Sequence, residues 1–161
     1  MSPKLFKIPS TDGVQVAVHD YGGNGPAIIF CHATGFHGRY WDSICSLLSE
    51  DFHCISLDFR GHGDTETPKG TSMQWVGMAE DLLSVVDHFQ FKESFGVGHS
   101  MGGASLLLAE RKRSDVFKSL WLFEPIVIPT GPLVEKLSRG NDLATSARKR
   151  NERFPSREDA F

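Results

Sequence analysis

Apolar and polar residues alternate in two early stretches, KLFKI (4–8) and VQVAVHDYG (14–22), on either side of a turn-forming TDG. Period-two alternation around a short polar interruption predicts an antiparallel hairpin with one solvated face. The pattern then changes. AIIFCHA (27–33), HCISLDF (53–59), FGVGH (95–99) and SLWLF (119–123) are short, mostly apolar runs, as expected of strands covered on both faces in a parallel sheet. Helical segments separate them. Trp75, Met78, Ala79, Leu82, Leu83 and Val86 make one stripe of period 3.6, and Ser72 is placed to cap that helix. A second helix, over residues 40–50, puts Trp41, Ile44 and Leu48 on one face, and ASLLLAERKR (104–113) reads as a third. Strands alternating with helices of this length predict a doubly wound, mostly parallel α/β sheet.

After residue 124 the alternation lapses. LFEPIVIPTGP ends the last strand with three prolines and a glycine, and the remainder is polar, basic in its middle and free of further strand-like runs. The expected division is a core over 1–128 and, over 129–161, the start of a lid or cap segment that is cut short.

Candidate chemistry enters at GVGHSMGG (96–103), where a His-Ser pair sits between a strand-like and a helix-like run with glycines on both sides. Read as a phosphate loop, Gly96, Gly98 and Gly102 give G-x-G-x-x-x-G, a near miss of the dinucleotide fingerprint. It follows the fifth strand, and no clear acidic strand end comes about 20 residues later. Read as a nucleophile elbow, Gly98-His99-Ser100-Met101-Gly102 is G-x-S-x-G, and each part has a steric role. A serine at the tip of a strained strand-to-helix turn needs neighbours without side chains where the backbone doubles back, which Gly98 and Gly102 supply. The helix N-terminus aims its amides at the same place, so Met101 N–H can serve a developing oxyanion, and Gly103 permits close packing. FCHATGFHGRYW (30–41) and LDFRGHGDT (57–65) likewise open from strands into glycine-containing loops.

Taken in order, H-x-x-G-F after strand 3, D-x-R-G-H-G after strand 4 and G-H-S-M-G-G at the elbow resemble the α/β-hydrolase fold family, specifically its single-domain esterase-like members. The resemblance implies strands 1–6 of an eight-stranded sheet. It also implies Ser100 as nucleophile, Thr34 and Met101 as donors of the oxyanion amides, and an acyl-serine route for a small ester or similar acyl substrate. His32, Gly35, Asp58, Arg60, Gly61 and Gly63 then order the two loops, with His62 alongside, and His99 packs beside the elbow. The usual His-Gly of the first loop is here His32-Ala33. Glu124, at the end of strand 6, is a candidate acid. The family's order is Ser, acid, His, yet all seven histidines precede Ser100. The expected consequence is a chain that is incomplete, inactive alone and prone to self-associate along SLWLF. Other readings are a non-catalytic hydrolase-like binding protein, or a cofactor-free peroxidase, C–C hydrolase or lyase on the same fold. Aspartate-nucleophile branches, such as dehalogenases, are disfavoured by Ser100.

Composition narrows the partners. With 17 Lys+Arg against 20 Asp+Glu the formal charge is -3, which gives no long-range attraction for nucleic acid or an anionic membrane. A small-molecule substrate is the expected partner, with no cofactor and no metal. No apolar run approaches a membrane span and the start lacks a signal-peptide pattern, so a cytoplasmic location is expected. Cys31, Cys45 and Cys54 lack metal or disulfide spacing and read as reduced core thiols. Arg111, Lys112 and Arg113 read as a solvated helix face.

Overall fold

The computed structural model describes residues 2–91, 93–127 and 155–156. Six strands form one sheet in the order β1-β2-β4-β3-β5-β6. They are β1 (Lys4–Pro9), β2 (Gln15–Gly22), β3 (Ala27–Cys31), β4 (His53–Asp58), β5 (Ser94–His99) and β6 (Phe117–Phe123). β2 runs antiparallel to both β1 and β4, and every other pairing is parallel. The helices are α1 (Asp42–Leu48), which continues from a 3₁₀ turn over Gly38–Trp41, α2 (Trp75–Phe89) and α3 (Met101–Lys112). Parallel pairing requires crossovers, and these three helices are the crossovers. Residues up to Val127 form one compact unit. The expected lid segment over 129–161 lies almost wholly outside the described residues.

Two apolar layers sandwich the sheet. On one face Ile29, Cys31, Ile55 and Leu57 meet α2 and α3 through Met78, Leu82, Val86 and Leu106. On the other, Ile28, Phe30 and Cys54 are covered by Trp41 and Cys45. The long stripe of α2 is buried as its spacing predicts. It buries Asp81 too, which the spacing does not announce.

Several expectations need correction. Ser72 does not cap α2. The residue before the helix is Gln74, without a side-chain cap, and Ser72 Oγ accepts from the Gln74 N–H at 3.3 Å ahead of the first turn. On α1 the buried positions are Trp41 and Cys45, with Leu48 half-buried, whereas Ile44 is 43% exposed. The 3₁₀ turn rotates the following helix away from the phase that a continuous α-helix would give. The solvated face of the hairpin belongs to β1 alone. β2 is an interior strand whose Val16, Ala17, Val18 and His19 are all buried. β6 begins two residues early, because Phe117 pairs with Ser94 across a bulge. Cys31, Cys45 and Cys54 are free, buried thiols, as expected. Burial pushes the Cys54 thiol up to about 11 and the other two higher still.

Candidate active site

Ser100 is the single residue between β5 and α3, with φ 51° and ψ −111°, a conformation L-residues rarely adopt. Its surroundings hold that strain in place. Ser100 N–H donates to Phe123 O at 2.9 Å, and Ser100 O accepts from Ala104 and Ile126 at 3.1 and 3.3 Å. The turn is thus fastened on one side to its own helix and on the other to the end of β6.

The glycines around it are sterically required. A Cβ on Gly98 would lie 2.7 Å from both Gly103 N and a Leu106 methyl, and one on Gly103 would lie 2.9 Å from Pro125 Cβ. A Cβ on Gly102 would overlap Cys31 O and lie 2.8 Å from His32 O. The first turn of α3 therefore packs directly on the end of β3. There Thr34 Oγ1 donates to Met101 Sδ at 3.3 Å, joining the loop after β3 to the residue after Ser100. Gly35, next in that loop, has φ +80°.

His32 is wholly buried and both ring nitrogens are engaged. Nδ1–H donates to Ala33 O at 2.8 Å, and Nε2 accepts the Phe59 N–H at 3.1 Å. Burial above all drives its pKa down to about 4, so the ring stays neutral. It is an ordering group, joining the loops after β3 and β4. Asp58 makes a second junction. Its carboxylate accepts from Gly38 N–H at 2.5 Å, Asp64 N–H at 2.7 Å and His19 Nε2 at 3.3 Å. Burial alone would push this carboxyl up, but hydrogen bonds from His19, Asp64 and Gly38 outweigh it and hold it below its ordinary value. Gly63 faces the same carboxylate so closely that a Cβ would overlap it. His19, Asp58 and Asp64 offer three ligand atoms within 4.8 Å of one another. The Asp58 oxygens are already occupied by amide donors, which fits a structural junction better than a metal site.

Arg60 is fully buried, as is its partner Asp81 on α2. Nε and Nη2 each reach the carboxylate at 2.9 Å, and Nη1 meets Asp12 at 2.9 Å. Nη2 also donates to Thr11 Oγ1 at 2.9 Å, so the hairpin turn, the loop after β4 and α2 meet at one guanidinium. Gly61 sits beside Met73 with φ +76°. His62 Nδ1 bonds Arg60 O at 3.0 Å. Sequence reasoning placed Arg60 in this locking role but missed Asp81, Asp12, His19 and Gly77, whose absent side chain makes room for the guanidinium. One signal was present: an acid at position 81 inside an apolar stripe needs a buried cation.

His99 packs beside the elbow against Phe123, with ring centroids 5.1 Å apart, and more loosely against Phe36. Glu124, the first residue after β6, is exposed and has φ 45°. The hydrogen bonds of His19, His32, His53 and His62 run to Asp58, Ala33 and Phe59, Asp20, and Arg60 respectively, and none goes to Ser100 or Glu124.

The family model described as the alpha/beta hydrolase fold matches residues 26–160, most of the chain. The protein belongs to the α/β-hydrolase family. Among its relatives, 3-oxoadipate enol-lactonase 1 of Acinetobacter baylyi is 31% identical over 84 residues, covering 52% of this chain and 31% of that protein. Fluoroacetate dehalogenase of a Burkholderia species is 26% identical over 122 residues, covering 73% of this chain and 40% of that protein. A thermophilic esterase from Thermogutta terrifontis superposes with a TM-score of 0.72 at 25% identity, over 91% of this chain and 54% of that one. The chain thus spans a third to about half the length of these relatives. Among the described residues no helix is long and apolar enough to cross a membrane.

Proposed function

We propose that this α/β-hydrolase chain carries the nucleophile half of a serine hydrolase that cleaves a small ester or similar acyl substrate through an acyl-serine intermediate. The observation that carries the reading is the conformation of Ser100, held at φ 51° between β5 and α3 by bonds from both sides. In that position Ser100 Oγ attacks the acyl carbon, and the amides of Met101 and Thr34 stabilise the oxyanion. The Thr34–Met101 contact and the packing of Gly102 on the end of β3 support bringing those two amides together. Glu124 is the candidate acid by its place after β6. A serine at 100 favours an acyl-serine over the ester that an aspartate nucleophile would form.

No histidine follows Ser100 in these 161 residues to serve as its general base. His32 is spent on ordering and stays neutral, with no free nitrogen. Oxyanion donors and binding alone leave an acceleration of ~10³–10⁴ over water, about 10⁶-fold short of an intact triad. A fluorophosphonate probe read by intact mass, applied to this chain and to any longer product of the same gene, tests the reading. The expected result is one adduct on the longer product, abolished by Ser100→Ala, and barely detectable reaction of the 161-residue chain. An adduct that survives Ser100→Ala, or brisk nitrophenyl-ester turnover by the short chain, overturns it.

A further inference from the structure

The loop between β2 and β3, Gly23-Asn24-Gly25-Pro26, holds the one Asn-Gly pair of the chain. The other asparagines, Asn141 and Asn151, precede Asp142 and Glu152. Asparagine is a thermolabile residue because its side-chain amide is open to attack by the backbone nitrogen of the next residue, and the approach is easiest where that residue has no side chain.

The fold itself requires glycine at position 25. A Cβ there would overlap Asp51 O, and one on Gly23, whose φ is +108°, would overlap Phe52 O. Both glycines therefore lie directly on the turn that leads into β4. The ends of the loop are tied to the same strand. Gly22 pairs with Cys54, Ala27 pairs with His53, and His53 N–H donates to Pro26 O at 3.1 Å. Asn24, between the two glycines, is exposed. Among the described residues neither its side chain nor the Gly25 N–H makes a hydrogen bond. Nucleophile and electrophile are both unengaged, and turning one toward the other breaks no hydrogen bond. The loop enters the amino end of β3, the opposite end of the strands from Ser100, and its neighbours are β4 and the Asp51–Phe52 turn rather than β6.

We infer that Asn24 is a modification site, at which the folded chain converts spontaneously to aspartate and isoaspartate through a cyclic imide with Gly25. The Gly25 nitrogen gives up its proton and bonds to Asn24 Cγ, and the side-chain nitrogen leaves as ammonia. Water then opens the ring. Attack at Cγ gives aspartate. Attack at the main-chain carbonyl carbon of residue 24 gives isoaspartate, whose main chain runs through the former side chain and is one methylene longer. One water is consumed and one ammonia released, so no oxidant or cofactor is needed. Because residues 23 and 25 are pressed on fixed carbonyls, the added methylene has to displace one of them. Isoaspartate therefore loosens the junction of β2, β3 and β4, whereas aspartate only adds a charge. The inference is independent of the hydrolase reading.

Incubation of the 161-residue chain at mildly alkaline pH, folded and in guanidinium chloride, followed by tryptic peptide mapping, tests it. Peptide 8–39 contains Asn24 as its single asparagine. The expected result is two chromatographically separable products about 1 Da heavier, formed in the folded chain at a rate within about tenfold of that in the unfolded chain. Asn24→Gln should stop the conversion. The aged chain should unfold at lower denaturant, unlike aged Asn24→Gln or fresh Asn24→Asp. A folded-state rate further than about tenfold below the unfolded one means that the loop holds the Gly25 nitrogen away from the side chain, and overturns the proposal. So does conversion at Asn141 or Asn151 in place of Asn24. Aged material rich in isoaspartate with an unchanged unfolding midpoint overturns the loosening of the junction.

Discussion

Burying an imidazole with both nitrogens engaged makes His32 an acid-sensitive fastening of the loop after β3. Its folded pKa is about 4 against an ordinary 6.5. Between those values the unfolded chain binds a proton that the folded chain refuses, so stability is full above about pH 6.5 and falls as the pH drops toward 4, by about 3 kcal/mol in all. Urea unfolding at a series of pH values should show this slope, and His32→Asn should flatten it by about one proton. A slope unchanged by that substitution would place the proton elsewhere. Asp58 acts in the same direction at lower pH. Its carboxyl is held below the ordinary range, so its contribution persists above the unfolded pKa and disappears as the pH falls through the folded one. Glu124 can be tested at the same scale. Its φ of 45° favours Gly or Asn, so Glu124→Gly should leave thermal stability unchanged or raise it by up to about 1 kcal/mol. A marked loss of melting temperature would show that the carboxylate has a structural partner.

At the scale of elements, α2 is where reading the sequence and reading the structure part company. Its stripe is legible because Met78, Ala79, Leu82, Leu83 and Val86 repeat at helical period, and the structure buries them all. Asp81 shares that buried arc, but its reason lies in Arg60 and Ser10, on segments 21 and 71 residues away. Periodicity carries no information about such pairings. The elbow was legible for the opposite reason: its constraints are local, since Gly98, Ser100, Gly102 and Gly103 lie within one turn of chain. The phase of α1 and the cap of α2 were misread because a 3₁₀ turn and a two-residue offset leave no mark in the pattern of apolar positions. Asp81→Asn should cost about 3–5 kcal/mol by leaving the guanidinium buried without its counter-charge. Gly77→Ala should cost about 1–3 kcal/mol by crowding the same group. Chemical denaturation measures both, and near-neutral values would mean that water reaches Arg60.

For the molecule as a whole, the mostly parallel sheet and its crossover helices follow from apolar runs plus connection rules. The wiring between loops does not, and it has a dynamic consequence. Functional loops normally exchange their amide protons with solvent quickly because they open locally at little cost. Here the amides of Gly38, Phe59, Arg60 and Asp64 donate to buried side chains, those of Asp58, His32, Asp81 and Asp58 respectively. Their protons should therefore exchange with deuterium as slowly as those of the central strands. Replacing the one carboxylate in Asp58→Asn should release the amides of Gly38 and Asp64 together, although 26 positions of sequence separate them. The loops after β3 and β4 would then open and close as one unit, on a clock set by a single buried carboxylate.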